Sequence, residues 1–107
     1  MENNFLDSDG YPTDAALDKI SNWDYNDPKG WFEFIRELWY LKSWGWTEGR
    51  FKDNIFQDPE KYTYHISTAG WSGNEDIIRA MQQNDILWSD AWLESRRGGH
   101  YIFELNP

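Results

Sequence analysis

The sequence predicts an α+β fold, with N-terminal helices packed on a small three-stranded sheet that a β-α-β-β second half supplies. Apolar residues recur at helical spacing in the first half. After Pro59 the pattern changes to the every-second-residue alternation that is typical of strands. Two glycine-rich turns then punctuate the second half. We expect one domain over residues 1–107, with 1–11 flexible, 12–58 helical and acidic, and 61–107 forming the β-α-β-β part.

The first half contains two predicted helices. Pro12 and the residues after it are typical of a helix start, and the apolar spacing from Ala16 to Trp23 predicts a helix near 13–22. Pro28 is placed to open a second helix, whose apolar stripe runs to Leu41. Two glycines and two tryptophans in residues 43–50 indicate a structured loop, and we expect residues 51–60 to be irregular.

The second half alternates and therefore predicts strands. Residues 61–68 are rich in aromatic and β-branched side chains, as strands are, and a helix over 75–84 follows the first glycine turn. Ser72 and Glu75 match a capping box for that helix. Residues 86–94 fit either a helix or a strand, and we favour a strand because a Gly-Gly turn and a clear strand at 100–105 follow directly.

Composition restricts the classes of partner. The formal net charge is −9, most of it in residues 1–60, so the chain cannot offer the basic face that non-specific nucleic-acid binding or an anionic membrane requires. An acidic surface suits a basic protein partner, although acidity also keeps a chain that is 19% aromatic in solution. The absence of cysteine excludes thiol chemistry, and we expect no cofactor and no metal. The sequence does not predict an oligomeric state.

The N-terminus gives an expectation about location. Residues 1–4 are acidic and polar, and the sequence shows neither a basic start followed by an apolar run nor a spanning segment. We therefore expect a cytoplasmic protein that does not enter a membrane.

The two glycine-rich turns, at 69–74 and 95–100, are the predicted site. If strands 61–68 and 86–94 are parallel neighbours, both turns leave the same edge of the sheet, where ligands of open α/β units bind. If the strands are antiparallel, we expect the turns to separate. Which arrangement holds is not fixed by the sequence.

The chemistry of these turns suits an anionic small ligand with a flat group, such as a nucleotide. The helix N-terminus presents unpaired N–H groups that bind anions. Adjacent guanidinium groups donate paired hydrogen bonds to phosphate oxygens, and an indole can stack on a flat ring. The expected ligand-binding residues are Trp71, Ser72, Gly73, Asn74, Arg96, Arg97 and His100. The alternative is that the glycines form ordinary turns and that nearby carboxylates pair with the two arginines.

Two further alternatives use other residues. Trp44 and Trp46, together with the acidic first half, are candidates to bind a basic surface of a host protein, which would make the chain an acidic inhibitor. His65 or His100 could instead act as a general base, with Arg96 and Arg97 on a phosphate, in a small hydrolase or transferase. We find no convincing catalytic dyad, so we favour a non-enzymatic protein that binds either an anionic small ligand or a protein partner through the two glycine-rich turns.

The two motifs also carry a resemblance. Residues 68–75 (TAGWSGNE) and 95–101 (SRRGGHY) resemble a group of small uncharacterised proteins of bacteriophages and prophages, over roughly the last 45 residues. The resemblance implies a phage origin and action inside a bacterial cell, and it brings no established activity. By analogy alone, small acidic phage proteins are often inhibitors of host defence or host enzymes.

Overall fold

The computed structural model of the protein describes residues 5–40, 42–49 and 62–105. Five helices and four strands occur there in the order α1 (Asp14–Ser21), α2 (Pro28–Leu38), α3 (Lys42–Gly45), β1 (Trp46–Gly49), β2 (Tyr62–Ser67), α4 (Ser72–Gln83), α5 (Asp85–Ala91), β3 (Trp92–Arg96) and β4 (His100–Leu105). The α+β class is confirmed, and the sheet has four strands rather than three because residues 46–49 pair with β2. The expected irregular segment at 51–60 and the expected flexible residues 1–4 lie outside the described residues.

The first two helices begin where the sequence predicts. The Thr13 hydroxyl accepts a hydrogen bond from the Ala16 amide at 3.2 Å and caps α1. Asp27 caps α2 by accepting from the Gly30 amide at 3.1 Å, and Pro28 occupies the first turn, where its missing N–H costs nothing. Sequence signals therefore locate the starts of α1 and α2, whereas α3 and β1 occupy residues for which the sequence predicts a structured loop.

The described part of the expected flexible segment, residues 5–11, folds into a closed turn. The Asp7 carboxylate accepts hydrogen bonds from the amides of Asp9 and Tyr11, each at 2.9 Å, and Leu6 forms an isolated bridge with Pro12. This turn brings Tyr11 back to the helical layer of the molecule.

Two predictions about the second half are wrong. Residues 86–94 are not one strand, because Asn84 caps a new helix by accepting from the Leu87 amide at 3.4 Å, and β3 starts only after that helix ends. The capping box is also absent. The N-cap of α4 is Trp71, which makes no side-chain cap, and the Ser72 hydroxyl lies 3.4 Å from the Tyr11 hydroxyl instead.

The core lies between one face of the sheet and the helices α1, α2, α4 and α5. The Phe32 ring stacks on Tyr64 with centroids 4.1 Å apart and also contacts Phe103, so α2 is held against the two central strands. Each buried aromatic side chain removes about 150–250 Å² from water. The buried cluster comprises Ala16, Ile20, Trp31, Phe32, Ile35, Leu38, Trp39, Trp46, Tyr64, Ile66, Ile77, Ile78, Ala80, Met81, Leu87, Ala91 and Phe103.

The order of the strands decides where the two glycine turns lie. The sheet runs β1-β2-β4-β3, and every neighbouring pair is antiparallel. Strands β2 and β3 therefore point the same way with β4 between them. The arrangement that the sequence left open is neither of the two considered: β2 and β3 are parallel without being neighbours, and both end at one edge of the sheet. Within the described ranges, no helix combines the length and apolarity needed to cross a membrane.

Candidate functional site

The two glycine-rich turns meet at one edge of the sheet. The Thr68 amide, which follows β2, donates a hydrogen bond of 3.0 Å to the carbonyl of Gly99, which precedes β4. Gly99 has φ +79°, and a Cβ there would lie 2.2 Å from the Thr68 hydroxyl. The close approach of the turns thus requires glycine at this position.

The first turn is occupied by contacts within the chain. The Trp71 ring lies near both Tyr11 and Tyr40, with centroid separations of 4.6 Å to each, and its six-membered ring covers the buried Gly73. Ser72 is exposed beside Tyr11. The prediction that Trp71, Ser72 and Gly73 contact a ligand stays a prediction, and the observed contacts are structural.

Asn74 joins three parts of the fold from a fully buried position. Its side-chain oxygen accepts from the Tyr40 amide at 3.0 Å, and its amide nitrogen lies 3.1 Å from the Tyr40 carbonyl and 3.3 Å from the Thr68 carbonyl. These bonds tie α4 to the segment after α2 and to the end of β2. The prediction that Asn74 contacts a ligand stays a prediction, and the contacts that its buried side chain makes are structural.

The sheet face opposite the helices carries a different set of side chains. Residues that alternate with Tyr64 and Ile66 along β2 point to this outer face, and residues directly paired across antiparallel strands share a face. Ser67 pairs with His100, and Thr47 pairs with His65. A cleft of about 300 Å³ opens there, lined by Trp44, Gly45, Thr47, His65, Ser67 and His100.

The short helix α3 forms one wall of this cleft. A Cβ on Gly45 would lie 2.7 Å from the Ser67 carbonyl oxygen, so glycine lets α3 sit directly on the end of β2. The indole N–H of Trp39 donates to the same carbonyl at 3.0 Å and fixes the contact. This packing leaves the Trp44 side chain 67% exposed at the edge of the cleft.

The two histidines lie together in the cleft. They occupy diagonal positions on β2 and β4, and their ring centroids are 5.7 Å apart at an interplanar angle of 59°. Arg96 pairs with His100 from the other side, so its side chain leaves the same face, and its Nε lies 3.1 Å from a Glu94 carboxylate oxygen. Arg97 is exposed in the turn between β3 and β4.

Trp46 belongs to the core rather than to the surface. It is 8% exposed and packs edge-on against Trp39 and Tyr64, and its indole N–H donates to Glu48 at 3.1 Å. The sequence hypothesis pairs Trp44 with Trp46 as one contact surface, whereas alternation along β1 sends Trp46 to the inner face. Of the two, Trp44 alone is at the surface.

Ionisable groups near the core lie on the inner side of the sheet. Burial, assisted by the Glu48 carboxylate, raises the pKa of Tyr64 well above its usual value, and the same two causes raise the pKa of Tyr62. Glu48 itself forms an ion pair with Arg36. These groups are separated from the cleft by the sheet.

The cleft offers hydrogen-bond donors and a flat ring. Imidazole nitrogens and hydroxyl groups line it, a guanidinium group stands beside His100, and the Trp44 indole is open to solvent. In the chain as far as it is described, no three His, Asp or Glu side chains are grouped as a metal site would need. The arrangement suits an anion more than a cation.

The enzyme alternative from the sequence combines His65 or His100 with Arg96, and these three residues lie on one face of the sheet. The groups that the sequence did not place beside them are Thr47, Ser67 and the α3 residues. The alternation of residues 62–67 already puts His65 and Ser67 on one face, which was the available signal. No sequence pattern marks Thr47 or Gly45 as part of a site, because their positions depend on the packing of β1 and α3 against β2.

No protein-family model matches this chain, and no curated protein or solved structure is significantly similar to it.

Proposed function

We propose that this protein is a non-enzymatic binding protein that holds a small anionic ligand with a flat group, such as a nucleotide, in the cleft on the outer face of the sheet. The observation that carries the proposal is the cleft of about 300 Å³ in which two imidazoles lie beside an exposed indole. That volume is at the lower end of the range for small-molecule sites, about 300–1,000 Å³.

The side chains that line the cleft, together with Arg96 beside it, have separate roles in this proposal. His100 and Arg96 bind the anionic group, since a guanidinium forks onto phosphate or carboxylate oxygens. His65, Thr47 and Ser67 donate to or accept from the polar atoms of the ligand. Trp44 stacks on the flat group at the edge of the cleft.

The resemblance of the last 45 residues to phage proteins supports a second element of the proposal, that the protein acts in the cytoplasm of a bacterial host. Arg97, exposed in the neighbouring turn, extends the cationic side of the site toward solvent.

Thermal unfolding with a panel of mono-, di- and cyclic nucleotides tests the proposal. A ligand at 100 times its Kd stabilises the folded state by about 2.7 kcal/mol, which raises the Tm of a domain of this size by about 10 °C. Arg96→Ala should reduce the rise, and Arg79→Ala is the matched control because Arg79 is also exposed and paired with a nearby carboxylate, Asp76. No rise with any nucleotide would contradict the proposal.

A second candidate function is a small hydrolase or transferase. It is favoured by the position of both imidazoles in one cleft with Arg96 beside them, where a histidine can reach a bound phosphate ester as general base. Phosphorus NMR of each nucleotide incubated with the protein separates the candidates. New phosphorus signals that His100→Ala abolishes would establish catalysis, and unchanged spectra would leave binding alone.

A further inference from the structure

A lysine ammonium lies among three aromatic rings at the surface of the N-terminal half. Lys19 Nζ is 5.0 Å from the centroid of Phe5, 5.4 Å from that of Trp23 and 4.8 Å from that of Phe34. All three distances fall within the roughly 6 Å range of a cation–π contact. We call the three rings the aromatic cage.

Separate parts of the fold build the cage. Phe5 precedes α1, Trp23 follows it, and Phe34 comes from α2. Phe5 meets Phe34 edge-on, with centroids 5.0 Å apart and planes at 89°, so these rings form two walls at a right angle. Trp23 lies 5.4 Å from Phe34, at an interplanar angle of 26°.

Hydrogen bonds to the main chain hold the Trp23 ring and the backbone of Phe5, and the Phe34 ring packs against both rings. The Trp23 indole N–H donates to the Asp27 carbonyl at 2.9 Å, and the Thr13 amide donates to the Phe5 carbonyl at 3.0 Å. The cage is therefore preorganised, which lowers the entropic cost of binding.

Cation–π contacts with the three rings hold the Lys19 ammonium. In the residues that the structure describes, no carboxylate lies within ion-pair distance of this group, although Asp14, Asp18 and Asp24 are exposed on the same part of the chain. A primary ammonium on an exposed side chain gains little from such contacts because water competes for its three N–H groups. Lys19 is consequently a weak and replaceable occupant.

We infer that the aromatic cage of Phe5, Trp23 and Phe34 is a binding site for a quaternary ammonium group, and that Lys19 is the internal occupant that the ligand displaces. A quaternary nitrogen has no N–H to lose from water, so it is transferred to the ring faces at a smaller cost. The surrounding aspartates attract a cation, in keeping with a net charge of −9. The group can belong to a free molecule such as choline or to trimethyllysine in a basic protein.

NMR titration of the full chain tests the inference, with the Trp23 indole N–H signal as the readout. The probes are choline chloride and a short peptide that contains trimethyllysine, with the unmethylated peptide alongside. Lys19→Ala should bind the quaternary probes roughly two- to fivefold more tightly than the unaltered protein, since it removes a weakly held competing occupant. Lys29→Ala makes the same charge change on an exposed α2 residue outside the cage and should leave affinity unchanged.

The variant Phe5→Leu completes the test, because leucine keeps an apolar side chain but removes one ring. In the Lys19→Ala background it should weaken the binding of both quaternary probes severalfold. Equal affinities in Lys19→Ala and Lys29→Ala, or equal affinity for methylated and unmethylated peptide, would overturn the inference. A response to the peptide without a response to choline would assign the site to protein-borne trimethyllysine, and the reverse would assign it to a free ligand.

Discussion

Replacing Asn74 by alanine provides a quantitative test of how the first glycine turn is held. The side chain is fully buried and makes three hydrogen bonds, two to the main chain of Tyr40 and one to the carbonyl of Thr68. Each such bond contributes about 1 kcal/mol net, so Asn74→Ala should lower the free energy of unfolding by about 3 kcal/mol. That is a large part of the roughly 5–15 kcal/mol expected for a domain.

Urea unfolding followed by tryptophan fluorescence measures this loss. With a urea dependence of about 1–3 kcal/mol per molar, the midpoint should fall by roughly 1–3 M. Gln82→Ala is the matched control, because Gln82 is exposed on the same helix and should change stability by less than about 0.5 kcal/mol. If Asn74→Ala were as stable as Gln82→Ala, the structural role of Asn74 would be refuted, and a role at the surface would be the better explanation.

Three other changes test the turns, the core and the inner face. Gly99→Ala should cost clearly more stability than Gly98→Ala, since both glycines have positive φ but an added Cβ meets another atom only at Gly99, and comparable losses in urea midpoint would contradict the close approach. Trp46→Ala should lose about 3–5 kcal/mol as a core truncation, whereas Trp44→Ala should lose less than about 0.5 kcal/mol, and similar losses would refute the placement of the two indoles. Burial raises the pKa of Tyr64 from its ordinary value of 10.0, so the folded state retains the phenolic proton. The resulting stabilisation is complete below pH 10 and is lost above it at up to about 1.4 kcal/mol per pH unit. Tyr64→Phe should flatten this alkaline decline, and an unchanged slope would show that another group is responsible.

The sequence predicts correctly the helices α1 and α2, which begin with a capping residue, and the strands β2 and β4, in which inward and outward side chains alternate. The hydroxyl of Thr13 and the Asp27–Pro28 pair mark the starts of α1 and α2 within a residue or two of their observed positions. Alternation likewise marks β2 and β4, because both strands face the core on one side.

The remaining elements depend on packing that a local pattern does not contain. Trp88 and Trp92 are four residues apart, which fits a helix, but they also precede a hairpin turn, and the side chain of Asn84 decides the matter by capping α5. Strand β1 has four residues, too few to show a period, and it forms only because β2 offers an edge.

The site was predicted in part for the same reason. Both turns lie at one edge although their strands are not neighbours. Strand β4 lies between β2 and β3 and is antiparallel to each, so β2 and β3 run in the same direction. The side chains that line the cleft, however, come from the outer face of the sheet and from α3, and His65 joins His100 there through strand register. Register is a tertiary property and is weakly specified by one strand alone.

The most direct test of the proposed site uses the two histidines themselves. The chain has two histidines, so their ring-proton signals in an NMR spectrum can be assigned with one variant, His65→Gln. During titration with a nucleoside monophosphate, we predict that the signals of His65 and His100 both move and saturate at one Kd. Arg96→Ala should weaken binding and so raise that Kd, and Arg79→Ala should leave it unchanged. Ring signals that stay fixed in excess nucleotide, or that respond equally in both arginine variants, would contradict an anion site in the cleft.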